Sequence, residues 1–206
     1  MATGRKIALA LALLLMNAAA AYAANVVALP AAALYRDADV ATSASASSET
    51  ALDALIAQEP DNIAALAQRG RLRMREGRME DGQSDFDAAI ALADADSSDA
   101  RLVLWTYGWA QLEAGNLPDA LHSWQEAERL HGGHPFWVSY SFATVLWLMD
   151  EQELAVAYYD AAVSSYPQQW GNAAAVARSS LDWQPLPRAA IADVFAAWQS
   201  QQPASP

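Results

Sequence analysis

Few side chains in this chain of 206 residues are both reactive and suitably spaced for catalysis or metal binding. Cysteine is absent, which excludes a thiol nucleophile, a thiolate zinc site and any disulfide. His131 and His134 flank two glycines, a spacing that would bring two imidazoles to one metal ion, but no third ligand is evident. The favoured interpretation is a turn that ends a helix before Pro135.

The acidic residues offer two further arrangements. Asp94, Asp96 and Asp99 are spaced like part of a calcium loop, yet the glycine and the closing glutamate of an EF-hand are missing. Glu126 and Glu128 are predicted to lie on a helix surface with nothing to perturb them. No nucleophile elbow, phosphate loop or dinucleotide fingerprint occurs. The sequence therefore predicts a protein that is not an enzyme and that uses no metal or cofactor.

Tryptophan and arginine give a stronger signal, because these residue types dominate binding hot spots. The chain has eight tryptophans, and five of its arginines cluster in one short stretch of a protein whose net charge is −12. The clustered arginines are Arg69, Arg71, Arg73, Arg75 and Arg78. Two interpretations remain open: the cluster binds a ligand, or it pairs with acidic residues of the following helix. Those acidic residues are Glu80, Asp81, Asp85 and Asp87.

The N-terminus has the organisation of an export signal. Arg5 and Lys6 precede an apolar run over 7–16, and an Ala-Tyr-Ala cleavage motif occupies 21–23. We expect a signal peptide over 1–23, export to the periplasm and no stable membrane insertion after cleavage; an uncleaved anchor is the alternative. Residues 24–47 are rich in alanine and serine and lack a helical period, which predicts a flexible linker with a short docked segment around Val26 to Tyr35.

From residue 48 onward, helices must position the side chains named above. The chain is 54% hydrophobic and rich in alanine, the best helix former, and a pattern of small and aromatic residues recurs along it. Its first copy, with separations of 4, 7, 5, 4 and 3, is Leu66, Gly70, Gly77, Gly82, Phe86 and Ala89. The same separations return in Leu104, Gly108, Gly115, Ala120, Trp124 and Ala127, and again in Ser139, Ala143, Asp150, Ala155, Tyr159 and Ala162. A fainter fourth copy is Ala174, Arg178, Pro185, Ala190, Val194 and Ala197.

This pattern resembles the tetratricopeptide repeat, a helix-turn-helix unit, over about residues 48–199. The resemblance implies an all-α fold, a right-handed superhelical solenoid that ends in a C-terminal capping helix pair. The implied units are repeats at about 63–96, 101–134 and 136–169, a degenerate cap at 171–199 and a tail over 200–206.

Within each repeat, particular positions carry structural predictions. Small residues are expected where two helices cross and where they turn. The crossing residues are Gly70, Gly108 and Ala143, and the turn residues are Gly77, Gly115 and Asp150. A capping box of Thr50 and Asp53 is predicted to begin the first helix. The last helix should cover the end of the stack with the apolar side chains of Ile191, Val194, Phe195 and Trp198.

In the tetratricopeptide family the first helix of each pair lines a concave groove, so the resemblance implies a partner-binding surface there. The residues assigned to it are Arg71, Arg75, Trp105, Trp109, Trp137, Tyr140 and Trp147, with Ser179 and Trp183 as additions from the capping pair. The alternative is that some of these tryptophans pack against neighbouring helices. Some relatives clamp a peptide carboxylate with basic and amide residues, an arrangement from which Ala67 and Arg71 depart. A general preference for an acidic segment beside an apolar one remains the expectation.

We therefore expect a non-enzymatic periplasmic scaffold that binds a peptide or protein segment in this groove during assembly of an envelope complex. A carbohydrate or cell-wall binder is the alternative, because aromatic rings stack on sugar faces. A third hypothesis is self-assembly into a homo-oligomer through the C-terminal helix. Nucleic acid is not an expected partner, because an acidic chain is repelled by phosphate.

Overall fold

A computed structural model describes residues 34–39 and 48–202, and the regular secondary structure in these ranges is helical. The predicted signal peptide, the rest of the linker and the last four residues of the tail lie outside the described residues. The all-α prediction is confirmed for the described part of the chain. Its helices are α1 (Glu49–Gln58), α2 (Ile63–Arg75), α3 (Met79–Leu92), α4 (Ser98–Glu113), α5 (Leu117–His131), α6 (Phe136–Leu148), α7 (Gln152–Ser165), α8 (Pro167–Trp170), α9 (Ala173–Ser179) and α10 (Pro185–Gln201).

Side-chain caps explain where four of these helices begin. The side-chain oxygens of Ser48, Asn62, Ser97 and Asn172 each accept a hydrogen bond from the backbone N–H three residues later, at 2.9 to 3.2 Å. The capping box predicted for Thr50 is wrong, because Ser48 is the extended residue before α1 and Thr50 already lies inside the helix.

Three short turns join α2 to α3, α4 to α5 and α6 to α7. In each turn the second residue after the helix has a positive φ: +84° at Gly77, +84° at Gly115 and +66° at Asp150. Glycine enters this left-handed region without steric cost, and aspartate tolerates it better than most residues. The turn positions predicted from the repeated pattern are confirmed.

The helices joined by these turns pack closely as three hairpins, which form the most extensive helix contacts among the described residues. Small residues permit this approach. A Cβ atom on Gly108 would lie 2.5 Å from Cδ1 of the buried Trp124, and one on Gly82 would lie 2.7 Å from the carbonyl oxygen of Gly70. Ala120 is fully buried at the equivalent place in the second hairpin. Larger side chains at these positions would separate the paired helices.

The hairpins pack on one another through different helices. α2 contacts α4, whereas the second and third hairpins meet mainly through α5 and α6. α10 lies on α6 and α7 and buries Ile191, Val194 and Phe195 there, with Trp198 half-buried beside them. The apolar face predicted for the last helix is therefore confirmed.

Residues 34–39, inside the predicted linker, lie against the helices, and we call them the strap. The backbone N–H of Asp37 donates to the carbonyl oxygen of His134 at 3.1 Å, and its carbonyl oxygen accepts from Phe136 at 3.2 Å. Tyr35 is buried between the strap and the helices. Of the docked segment predicted around Val26 to Tyr35, residues 26–33 lie outside the described residues, and the docked part continues past Tyr35.

Candidate functional site

Aromatic side chains from four parts of the fold form one continuous row, which we call the aromatic ridge. It consists of Trp105 and Trp109 on α4, Tyr140 on α6, Trp170 on α8 and Trp183 in the loop between α9 and α10. The ring centroids are 4.7 Å apart for Trp109 and Trp183, 5.9 Å for Trp183 and Tyr140, and 5.0 Å for Tyr140 and Trp170. Aromatic pairs attract one another at these separations. The ridge thus links the second hairpin to the C-terminal helices.

Beside the ridge is a cleft of about 290 Å³, which we call the aromatic cleft. It is lined by Phe136, Tyr140, Gln169, Trp170, Ser179 and Trp183. None of these side chains is charged, and Gln169 and Ser179 add an amide and a hydroxyl to four aromatic rings. The volume is at the lower end of the range for ligand pockets. The cleft therefore suits one side chain or one sugar ring better than a large ligand.

Burial divides the tryptophans and the tyrosine that the sequence assigns to the groove. Trp109 and Trp137 are only 3% and 1% exposed, so they belong to the core, as the packing alternative required. The half-buried residues are Trp105, Tyr140 and Trp147. Trp137 takes part in a different contact, because its indole N–H donates to Asp39 of the strap at 3.0 Å. Trp183 covers Trp109 and replaces solvent on that face.

Arg71 meets the ridge at Trp109. Its guanidinium lies 5.7 Å from the centroid of the Trp109 ring, within the range of a cation–π contact. The same group pairs with the buried carboxylate of Glu113 at 2.6 Å, so it is not free to clamp a carboxylate of a ligand. Arg75 is exposed and forms no ion pair with the described residues.

The other three arginines of the cluster fasten α1 to the first hairpin. Arg69 and Arg73 bind the buried carboxylate of Asp85 at 2.7 and 2.9 Å. Arg73 and Arg78 bind Glu49 of α1, and their hydrogen bonds hold the pKa of Glu49 down at about 2. The structure therefore fits the pairing interpretation, with Asp85 as the central predicted acid. Glu49 was not predicted as a partner, because it precedes the arginines and lies outside the repeated pattern.

Two indole N–H groups of the ridge lack an acceptor within the described residues, those of Trp105 and Trp109, and both nitrogen atoms are buried. Other tryptophans are satisfied: the N–H of Trp124 donates to the carbonyl oxygen of Trp105 at 3.1 Å, and that of Trp198 donates to Asp160 at 2.8 Å. A buried donor without a partner costs about 1–3 kcal/mol. The ridge therefore has two donors that the described residues do not satisfy.

A second group of titratable side chains lies where the strap meets the helices. Burial raises the pKa of Glu128 to about 7, and burial is also the main cause that raises the pKa of Tyr35 and of Tyr158. Nδ1 of His134 is 3.9 Å from Oε1 of Glu128, and the His134 ring lies 5.1 Å from the Tyr35 ring. The prediction that nothing perturbs Glu128 is wrong, because a segment distant in the sequence covers this part of α5.

His131 and His134 lie at the turn after α5 and contact the strap. α5 ends at His131 and Gly132 has a φ of +74°, which confirms the turn predicted before Pro135. Nε2 of His131 is 3.2 Å from a carbonyl oxygen of the strap, and the backbone N–H of His134 donates to the carboxylate of Asp37 at 2.7 Å. In the part of the chain that the structure describes, no group of three or more histidine, aspartate or glutamate side chains is placed to hold a metal ion.

No known protein family, curated protein or solved structure matches this chain. Over residues 34–39 and 48–202, no helix combines the length and the apolar character needed to cross a membrane. The functional inference therefore depends on the chemistry of the ridge, the cleft and the strap.

Proposed function

We propose that the chain is an exported, non-enzymatic scaffold of tetratricopeptide-like helix pairs that binds a peptide or protein segment of an envelope complex in the periplasm. The recurring crossing and turn residues of the three hairpins support a stack of similar units. In such a stack the first helices line one concave side. Two of these helices, α4 and α6, contribute three rings to the aromatic ridge, which is the proposed binding surface.

The aromatic ridge is the observation that carries this proposal. It joins half-buried rings with two indole N–H donors that have no acceptor among the described residues. A peptide segment supplies what this surface lacks, because backbone carbonyl oxygens accept from the donors and apolar side chains cover the rings. Aromatic residues are also the commonest anchors in protein interfaces.

The strap supports a peptide as the ligand class, because it shows how this helical body holds an extended segment. Asp39 of the strap binds Arg101 and the indole N–H of Trp137, each at 3.0 Å. Tyr35 is a buried aromatic anchor, and Asp37 exchanges backbone hydrogen bonds with the α5–α6 loop and with the first residue of α6. Backbone pairing combined with a buried anchor is a recurring mode of peptide recognition.

Crosslinking capture from a periplasmic extract tests the proposal. We expect the full chain to capture a defined protein, and Trp105→Ala to reduce that capture strongly, because Trp105 is a half-buried ridge residue. Trp198→Ala is the matched control, since Trp198 is also half-buried but contacts Tyr159 and Phe195 outside the ridge. Circular dichroism of each variant separates lost binding from lost folding. Equal capture by wild type and folded Trp105→Ala would contradict a role for the ridge.

A neutral saccharide is the second candidate ligand, and the aromatic cleft favours it. Uncharged amide and hydroxyl groups beside four aromatic rings match the faces and the hydroxyls of a sugar. Tryptophan fluorescence distinguishes the two candidates. A spectral shift with cell-wall glycan fragments and none with peptides would favour the saccharide, and the opposite result would favour the peptide.

A further inference from the structure

Trp183 differs from the other tryptophans of the aromatic ridge because it belongs to a loop rather than to a helix. Its ring lies 4.7 Å from the ring of Trp109 and covers that core residue. Leu181, two residues earlier in the same loop, is 67% exposed. The loop therefore leaves one large apolar side chain in solvent while it places another on the ridge.

Ring contacts, not hydrogen bonds, hold this loop on the ridge. Among the described residues, the hydrogen bonds of 180–184 stay within the loop or reach its own flanking helices. Examples are the bond from Ser180 to the carbonyl oxygen of Val176 at 2.9 Å and the bond from Arg188 to that of Leu181 at 3.4 Å. Trp183 also lines the aromatic cleft, so free volume adjoins the ring. The loop and the cleft thus provide free volume on one side of the ring and no hydrogen bond from the loop to the ridge among the described residues.

The ring under Trp183 is that of Trp109, which offers an aromatic face and an indole N–H donor. The indole N–H groups of Trp105 and Trp109 lack acceptors within the described residues. Arg71, which contacts the Trp109 ring, is paired with Glu113. The complementary ligand group is a planar apolar ring accompanied by acceptor oxygens. An aromatic side chain flanked by its own backbone carbonyl groups has this composition.

We infer that Trp183 is an internal substitute for an aromatic side chain of the peptide ligand, and that the ligand displaces it toward the aromatic cleft. The inference rests on the proposed function, because it names the residue type that the peptide places on the ridge. A tethered competitor acts at a high effective concentration. Only molecules in which it has left the site can bind the ligand, so the apparent affinity falls in proportion to that fraction of molecules. Removal of the Trp183 ring should therefore strengthen binding of an aromatic ligand.

The test uses the full chain and N-acetyl-tryptophanamide, a probe with one indole between two carbonyl groups. NMR titrations compare wild type, Trp183→Ala and Trp198→Ala, the last being a tryptophan of α10 outside the ridge. We expect Kd for Trp183→Ala to be at least tenfold lower than for wild type, and Kd for Trp198→Ala to equal that of wild type. N-acetyl-alaninamide should not bind. Equal affinity of wild type and Trp183→Ala for the indole probe would overturn the inference.

A second measurement needs no destabilising variant in the binding experiment. In wild type labelled with 5-fluorotryptophan, the signal that disappears in Trp183→Ala belongs to Trp183. At saturation with the probe this signal should move toward that of free 5-fluorotryptophan, while the Trp198 signal stays in place. A stationary Trp183 signal, or binding of methyl glucoside in place of the indole probe, would overturn the inference. If the probe displaces Trp183 but the chain captures no partner protein, the scaffold role is contradicted while the aromatic-binding site under Trp183 is supported.

Discussion

The buried carboxyl of Glu128 provides a quantitative test of how the strap packs on the helices. Its side chain is 24% exposed, and burial raises its pKa from 4.5 to about 7. Because the pKa of the folded state is the higher one, the stability that burial of the neutral acid contributes is fully present below pH 4.5. That stability is lost as the pH rises through 7. Glu128→Gln keeps the shape of the side chain but cannot ionise.

The expected magnitude follows from the two pKa values. A change from 4.5 to about 7 corresponds to about 3 kcal/mol, at about 1.4 kcal/mol for each pH unit. This is an upper value, because the Glu128 side chain keeps 24% of its surface exposed and solvent screens part of the cost. We therefore expect Glu128→Gln and wild type to be nearly equal in stability at pH 4. At pH 8 the variant should be more stable by about 2–3 kcal/mol.

Urea unfolding followed by circular dichroism at pH 4, 5.5, 7 and 8 measures this difference. Glu126→Gln is the matched control on the same helix, because Glu126 is a surface residue that pairs with Arg129 at 2.7 Å. Its pKa is lowered by that arginine, so its replacement should slightly destabilise the protein above pH 5, by less than about 1 kcal/mol. A constant difference between Glu128→Gln and wild type across this pH range would refute burial of the carboxyl under the strap.

Two further predictions concern the helix crossings and the strap. Gly108→Ala places a methyl group 2.5 Å from Cδ1 of Trp124, so urea unfolding should show a loss of about 1–3 kcal/mol. Gly70→Ala, whose nearest contacts would be at 3.0 Å, should cost less, and an equal cost at both sites would show that the second crossing is not tighter than the first. Asp39→Ala removes the acceptor of the buried Trp137 indole, so hydrogen exchange of the strap should accelerate about tenfold or more. Unchanged protection would mean that other contacts hold the strap.

Sequence reasoning succeeded where local residue chemistry determines the backbone. Gly77, Gly115 and Asp150 could be assigned to turns because few residues enter positive φ readily, and that property does not depend on distant contacts. The crossing at Gly108 was predictable for a related reason, since a small residue opposite a large one recurs at a fixed spacing. Thr50 was assigned wrongly as a cap because Ser48 also carries a hydroxyl, and the backbone selects between them.

The parts of the site that escaped prediction depend on contacts between distant residues. Asp37 pairs with the chain at His134, far along the sequence, and no local pattern announces that pairing. The burial of Glu128 follows from the same contact. Trp170 was not predicted as a site residue because α8 interrupts the repeated spacing. The signal in the sequence is an aromatic residue directly after Pro-Gln-Gln, the residues with which this short helix begins.

The charge distribution explains why the arginine cluster and the aromatic ridge have separate roles. Among the described residues α1 packs on α2 outside the three hairpins, and ion pairs from the first hairpin to Glu49 and Asp53 supply part of its attachment. Arg71 belongs to the same cluster by sequence, yet it turns to Glu113 and to the face of Trp109. The positive charge that looks available in the sequence is thus largely neutralised within the fold. If the ridge binds the proposed peptide, ring shape and hydrogen-bond donors rather than attraction between opposite charges would select it.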